Sequence, residues 1–454
     1  MRAARSEKKA PAYTETDLSP FFGSLPFTLT GAQRRSVEEI AADLQKGAPM
    51  NRLVQGDVGS GKTMVAAAAA YLAVRNGHQA ALMAPTEILA EQHYQSLGRL
   101  FSKLGLRTVL LTGSMSVKEK KQARSAIASG EADLAVGTHA LFSDTTRFAD
   151  LGLVITDEQH RFGVGQRSAL SSKGSDPHLL VMSATPIPRP LALLMYGDLD
   201  VSILNELPPG REKVDTFLVG ESYRPRINAF IRKQVAEGHQ CFVVCPAVEE
   251  NQELNIKAAS VWAQTLQQTV FPDLRILLLH GQMKGAEKEA VMAAFARGEG
   301  DVLVATTVIE VGVDVPNATL MVIEDADRFG RSQLHQLRGR VGRGKAKSYC
   351  ILTSHNKNQE TLLRLKALCG TNDGFKIAEE DLKLRGPGDF FGSRQSGLPT
   401  FQVANLSYDL ETLKAAQAAS AQWIDDHGAE DTPEAIALRQ RIGILFQRSE
   451  GTMN

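Results

Sequence analysis

The chain has 454 residues, too many for one ordinary hydrophobic core, so two or three domains are expected. Hydrophobic residues make up 43% and charged residues 22%, an ordinary globular composition, and no apolar run is long enough to cross a bilayer, so membrane insertion is not expected. Lys plus Arg (51) equals Asp plus Glu (51), so any polyanionic partner must be held by a local patch rather than by overall charge.

Four cysteines are too few for a disulfide framework, and Cys241 and Cys245 lie in an apolar stretch where burial accounts for them. No second Cys/His pair has zinc spacing, and a reducing cytoplasm is the expected compartment. The first residues carry Arg2, Arg5, Lys8 and Lys9 without an apolar segment, so they fail as a secretory signal, and 1–24 reads as a tail or linker.

From residue 25 the pattern alternates between strands and helices, which predicts a parallel α/β domain over 25–205. Phe27, Thr30 and Gln33 precede the first strand at a spacing that lets Gln33 meet an adenine edge and select ATP over GTP. Strands are expected at 52–55, 79–84, 108–111, 134–137, 153–157 and 179–183, with helices at 64–74, 86–101 and 117–129.

Between the first strand and the first of these helices lies Gly56, Asp57, Val58, Gly59, Ser60, Gly61, Lys62, Thr63, the G-x-x-x-x-G-K-[ST] spacing of a phosphate-binding loop. Glycines let successive N–H groups and the following helix N-terminus point at a polyphosphate, with Lys62 placed for phosphate and Thr63 for Mg²⁺. A glycine-rich turn could arise by chance, but both flanks have the required strand and helix character. The expected ligand is MgATP or MgGTP.

The strand over 153–157 ends in Asp157 and Glu158, a pair suited to a nucleotide-hydrolysing sheet. Asp157 would hold Mg²⁺ through its water shell, and Glu158 would polarise the attacking water. Ser183 and Thr185 close the next strand, with hydroxyls that could link the γ-phosphate end to whatever the domain grips, although small polar residues there are usually turns.

Pro208, Pro209 and Gly210 break the pattern and mark an interdomain linker at 206–212. Strands resume at 216–219, 240–245, 276–279, 302–306, 320–323 and 349–352, a second α/β domain over 206–355 without a phosphate loop of its own. Near its end Arg338, Arg340 and Arg343 fall within six positions, beside Gly339 and Gly342. They could be a solvated basic face; their better use is as arginine fingers completing the first domain's nucleotide site.

Residues 356–454 read as an α-rich extension, with packing helices at 410–426 and 434–447 and a loop region around Arg385 to Pro399. Arg161, Arg167, Arg189, Lys284, Arg331, Arg385 and Arg394 stand near loop ends, where as a set they could contact phosphates without reading sequence. No dense aromatic interleaving is present, so a base-stacking single-strand platform is the weaker reading.

Read in order, Gly56 to Thr63, Ala84 to Glu91, Asp157 to His160, Ser183 to Thr185, Val304 to Asp314 and Gln336 to Arg343 resemble the motif series of superfamily 2 helicases. The stretch from Asp373 to Pro399 resembles the translocation motif shared by RecG helicases and transcription-repair coupling factors, with the closer match to RecG. The resemblance runs from about Leu25 to the C-terminus.

It implies two RecA-like parallel-sheet domains in tandem with a C-terminal α-rich extension, and ATP-driven movement on double-stranded, branched DNA such as stalled forks and Holliday junctions. It further implies nucleotide contacts from Gly312 and Asp314, catalytic roles for Gln336, Arg340 and Arg343 beside Lys62, Asp157 and Glu158, and coupling of hydrolysis to DNA movement by Arg385, Arg394 and Gln395. Gln166 and Arg167 look like a further element of the ATP-site switch. A monomer is expected, with a single-stranded DNA-binding protein as candidate partner.

RecG proteins normally begin with an oligonucleotide-fold wedge domain, and this sequence is expected to start at the linker that would follow it, which puts strand separation and fork specificity in question. Pro190 stands where the family usually carries a hydroxyl residue. An RNA helicase, or a DNA-binding ATP switch that needs a partner to supply the wedge, remain alternatives.

Overall fold

The structure is a computed structural model that describes residues 10–157, 176–184, 199–208, 212–246, 252–306, 315–344, 346–381, 410–427, 432–438 and 440–441. The first sheet has seven strands, β1 (Asn51–Gly56), β2 (Gln79–Met83), β3 (Thr108–Leu111), β4 (Leu134–Gly137), β5 (Leu151–Asp157), β6 (His178–Ser183) and β7 (Asp200–Leu204), in the order β3-β4-β2-β5-β6-β1-β7. A second sheet holds β8 (Asp215–Val219), β9 (Gln240–Val244), β10 (Ile276–Leu279), β11 (Val302–Ala305), β12 (Ala318–Ile323) and β13 (Tyr349–Thr353), in the order β10-β11-β9-β12-β13-β8.

Every pairing in both sheets is parallel. Parallel neighbours need crossovers, and these bury both faces of a sheet, which is why the central strands read as unbroken apolar runs. The fold is two RecA-like parallel-sheet domains in tandem, followed by helices.

In the first sheet the crossovers and flanks are α1 (Ser19–Ser24), α2 (Gly31–Leu44), α3 (Lys62–Arg75), α4 (Glu87–Lys103) and α5 (Val117–Ala128). Their starts follow capping chemistry. Thr30 accepts from Gln33 N and Gln33 reciprocates at the cap backbone, Thr86 accepts from Leu89 N, and Ser116 and Glu119 form a second reciprocal box. α3 is alanine-rich because it is buried along Val65–Ala73 against the sheet and α2, where larger side chains would hold the layers apart.

The second sheet is flanked by α6 (Arg224–Ala236), α7 (Gln252–Thr265), α8 (Gly285–Ala296), α9 (Arg331–Arg338) and α10 (Gln359–Gly370). Beyond it lie a helix over 374–381, here α11, and α12 (Leu410–His427). Ile88 of α4 packs against the second sheet's core, so the two halves share an apolar contact.

Two features differ from the sequence expectations. β7 was not expected: Asp200-Val-Ser-Ile-Leu204 is short and half polar, and as an edge strand it needs only β1, with Ser202 accepting a hydrogen bond from Arg52. Residues 10–24, expected as a tail or linker, pack on the first sheet. Tyr13 is 1% exposed and donates its N–H to Leu44 O, while Asn76 Oδ1 at the end of α3 accepts from the N–H groups of Thr14 and Glu15.

Candidate nucleotide site between the two sheets

Register places the chemistry. Gln55 of β1 pairs with Ser183 of β6, and Met182 pairs with both Val54 and Asp157, so β1, β6 and β5 end level at their carboxyl edge. Asp157 thus stands two strand spacings from β1, roughly 10 Å, beside the loop that leaves Gly56.

The loop turns from β1 into α3 through Gly59 and Gly61, at φ 79° and 85°. This left-handed backbone costs glycine little, and at Gly61 a Cβ would also run into the Gln33 amide. Gly61 leaves the start of α3 with no side-chain cap, so the helix N–H groups stay directed at whatever the loop encloses. Lys62 is buried, and its Nζ donates to the carbonyls of Gly56 at 2.8 Å and Asp57 at 3.0 Å, which holds an ammonium inside the loop. Val58 and the buried Ser60 lie on the same turn, and Thr63 follows Lys62. A cationic, glycine-lined cradle at a helix N-terminus fits the phosphates of MgATP.

Gln33 is 2% exposed and braces this loop: Nε2 donates to Ser60 O at 2.8 Å while Oε1 accepts from Thr30 N at 2.9 Å. Phe27, on the same approach, is an exposed aromatic. Asp157 accepts from His93 Nε2 of α4 at 2.8 Å in a buried pair. That bond fixes one carboxylate oxygen, a contact the sequence reading did not foresee. Ser183 is buried. Glu158, Thr185, Gln166, Arg167, Pro190, Gly312, Asp314, Arg385, Arg394 and Gln395 lie outside the described residues.

The second sheet meets the loop through α9. His335 donates from Nε2 to Asp57 Oδ1 at 3.0 Å, and Gly339 lies against Val58, where a Cβ on Gly339 would sit 2.9 Å from the Val58 Cβ. Arg338, 2% exposed, donates to His335 Nδ1 at 2.9 Å and to the carbonyls of Leu368 and Thr371 at 2.7 and 2.8 Å. A guanidinium can only donate, so Nδ1 is the acceptor and the neutral ring carries its proton on Nε2, facing Asp57.

Burial pushes the Asp57 carboxyl up, but the hydrogen bonds from His335 Nε2 and the Gly374 N–H, with the charge of Lys62, outweigh it, and the net shift is downward. Asp57 Oδ2 accepts from Gly374 N at 3.1 Å.

Of the three clustered arginines, Arg338 is therefore an internal brace, with burial lowering its pKa. Arg340 is buried just past α9, and Arg343 is half-buried with Nε donating to Gly339 O. Gln336 is half-buried on α9. Arg331, grouped with the phosphate-facing cations in the sequence, is instead 3% exposed and paired with Asp381 at 3.6 Å.

The role of His335 was missed, although its spacing of three from Arg338 on a helix places both on one face. Cys241 and Cys245 are buried as expected, and burial pushes the Cys245 thiol up to about 12. Among the described residues no helix is long and apolar enough to cross a membrane.

Three family descriptions match in sequence: DEAD/DEAH box helicase over 30–194, helicase conserved C-terminal domain over 225–345, and ATP-dependent DNA helicase RecG, domain 3, C-terminal, over 371–449. The chain is 53% identical to an ATP-dependent DNA helicase RecG of Synechocystis sp. over 94% of its own length and 52% of the relative's. With the Bacillus subtilis protein of the same name it is 48% identical, over 95% of this chain and 63% of that one. This chain therefore spans between half and two-thirds of these relatives.

A solved structure of RecG bound to a three-way DNA junction superposes with a TM-score of 0.78 at 45% identity, covering 91% of this chain and 54% of that one. The DUF1998 helicase MrfA bound to DNA, at 17% identity and TM-score 0.59, shares the fold alone. With its two sheets, its phosphate loop and its RecG-type C-terminal region, the chain belongs to the RecG family of ATP-dependent DNA helicases.

Proposed function

We propose that this chain is the motor of an ATP-dependent double-stranded DNA translocase that acts on branched DNA, including stalled forks and Holliday junctions, in recombination and repair. The observation that carries this reading is the direct contact of the phosphate loop, through Asp57 and Val58, with His335 and Gly339 beyond the second sheet's β12. A loop touched by both sheets can convert its ligand state into a relative movement of those sheets.

Bound MgATP supplies a cleavable phosphoanhydride and a charge that changes on hydrolysis. Lys62 and the N–H groups at the start of α3 would hold the phosphates, Thr63 and Asp157 would hold Mg²⁺, and His93 keeps Asp157 oriented. Glu158 would accept a proton from the attacking water. Gln33, placed by its bonds to Thr30 and Ser60, retains amide capacity for an adenine edge, with Phe27 nearby in sequence.

Arg340 and Arg343 would approach from the second sheet with Gln336, and Gly312 and Asp314 would line the same side. Arg385, Arg394 and Gln395 would couple closure to movement along DNA. The chain is proposed to act as a cytoplasmic monomer, with a single-stranded DNA-binding protein as candidate partner.

The test is displacement of a third strand from a triplex placed downstream of a fork, with linear duplex and RNA as controls. ATP-dependent displacement from the fork substrate supports the reading. Stimulation of hydrolysis by RNA, without displacement from DNA, would replace it with an RNA helicase.

A further inference from the structure

Asp57 is bonded at three points by groups from three different parts of the chain. Its backbone carbonyl accepts from Lys62 Nζ, its Oδ1 from His335 on α9, and its Oδ2 from the N–H of Gly374. Gly374 is the first residue of α11, the helix over 374–381. Its neighbour Asp373 caps the next two N–H groups, accepting from Phe375 N at 3.0 Å and Lys376 N at 3.2 Å. The phosphate loop therefore completes the capping of a helix more than 300 residues away in sequence, and a carboxylate there also meets the positive end of the helix dipole.

The last described residue of α11 is held as well. Asp381 is 6% exposed and pairs with Arg331, the first residue of α9, at 3.6 Å. α9 and α11 are thus joined by a buried ion pair at one point and by the shared Asp57 carboxylate at another. A third tie comes from Arg338, whose guanidinium holds the carbonyls of Leu368 and Thr371 just before α11 begins. With its first and last described residues fixed, the described part of α11 is placed by α9 and the loop, and residues 382–409 follow it in sequence.

We propose that Asp57 is a positioning residue that seats α11 directly on the phosphate loop, so that nucleotide binding is relayed to the C-terminal region through this carboxylate as well as through the second sheet. The proposal rests on the translocase reading above and assigns part of its coupling. Lys62 and α11 hold opposite ends of one residue. A shift of Lys62 from the Asp57 carbonyl toward a phosphate therefore changes the constraint on the residue whose carboxylate holds Gly374 N.

The contact can be broken from the side remote from the nucleotide. Gly374→Pro deletes the donated N–H at the first helical position, where proline fits and no intrahelical bond is lost. Asp57→Ala removes the acceptor from the loop side and serves if the proline variant does not fold. Backbone hydrogen exchange across 374–381 is measured in the full chain with and without ADP. Triplex displacement per ATP hydrolysed on fork DNA is measured in parallel.

In the wild type, ADP is expected to change exchange in α11 at least threefold, and both variants are expected to lose that change. Gly374→Pro should hydrolyse ATP within about twofold of wild type yet displace at least fivefold fewer strands per ATP. An unchanged ADP response in both variants, or normal displacement per ATP in Gly374→Pro, would overturn the proposal. Wild-type chain that responds to ADP in α11 but shows no DNA-stimulated hydrolysis would support the contact and count against the translocase reading alone.

Discussion

His93 Nε2 donates to Asp157 Oδ2 at 2.8 Å, and this buried bond ties α4, the helix opened by Thr86, to the acid at the end of β5. Orienting partners of this kind matter to a metal-holding carboxylate about as much as a tenfold or larger loss when removed. His93→Ala is expected to raise the Mg²⁺ concentration needed for half-maximal ATPase activity about tenfold, read by Mg²⁺ titration at saturating ATP. An unchanged Mg²⁺ dependence would make the bond a packing detail.

The loop and the paired acids divide the work. Lys62→Ala is expected to abolish ATP hydrolysis, whereas Glu158→Gln should retain binding of a fluorescent ATP analogue and lose turnover by a factor of a hundred or more, on the order expected for a general base. Steady-state ATPase assays and equilibrium titration check both. Normal turnover in Glu158→Gln would remove the assignment.

The contact of Gln33 with Ser60 O gives a separate outcome. Gln33→Ala removes the donor that braces Ser60 O, so the KM for ATP should rise about tenfold, with a smaller change in kcat. If ATP and GTP are used with the same preference before and after the change, Gln33 holds the loop and does not select the base.

Stability has its own test at the buried pair of Arg52 and Asp43, 2.7 Å apart, which pins α2 to β1. Burial raises the Asp43 carboxyl, but Lys46 and Arg52 outweigh it and the net shift is downward. A depressed acid contributes stability above its unfolded value of about 3.9 and loses it as pH falls through the lower folded value. Asp43→Asn should therefore cost about 3 kcal/mol near pH 7, as for a broken buried pair, and the gap to wild type should narrow below about pH 4. Urea denaturation at the two pH values measures it.

Beyond the described residues, Arg385→Ala and Gln395→Ala are expected to keep most DNA-stimulated hydrolysis and to lose triplex displacement. Unimpaired displacement would take the coupling role from these two residues.

Much of the architecture was legible because strands of parallel sheets leave apolar runs bounded by turns, and that pattern marks twelve of the thirteen strands, including the edge strands β3, β8 and β10. It does not mark β7, an edge strand whose run is broken by Asp200 and Ser202. The phosphate loop was legible because its glycines are required by backbone conformation, as at Gly61. What stayed hidden were contacts between side chains far apart in sequence. Nothing local to Asp57 announces His335 or Gly374, and nothing in the arginine cluster separates the buried Arg338 brace from Arg340 and Arg343.

The central claim is that one nucleotide is held by the loop of the first sheet and by arginines of the second. Steady-state ATP hydrolysis on fork DNA by Arg340→Ala and Arg343→Ala chains tests it most directly, with ADP affinity measured alongside. The expected result is a loss of at least a thousandfold in kcat for one or both variants with ADP binding largely kept, the magnitude associated with a guanidinium supplied to a phosphoryl-transfer site. Fork-stimulated hydrolysis at the wild-type rate in both variants would contradict it.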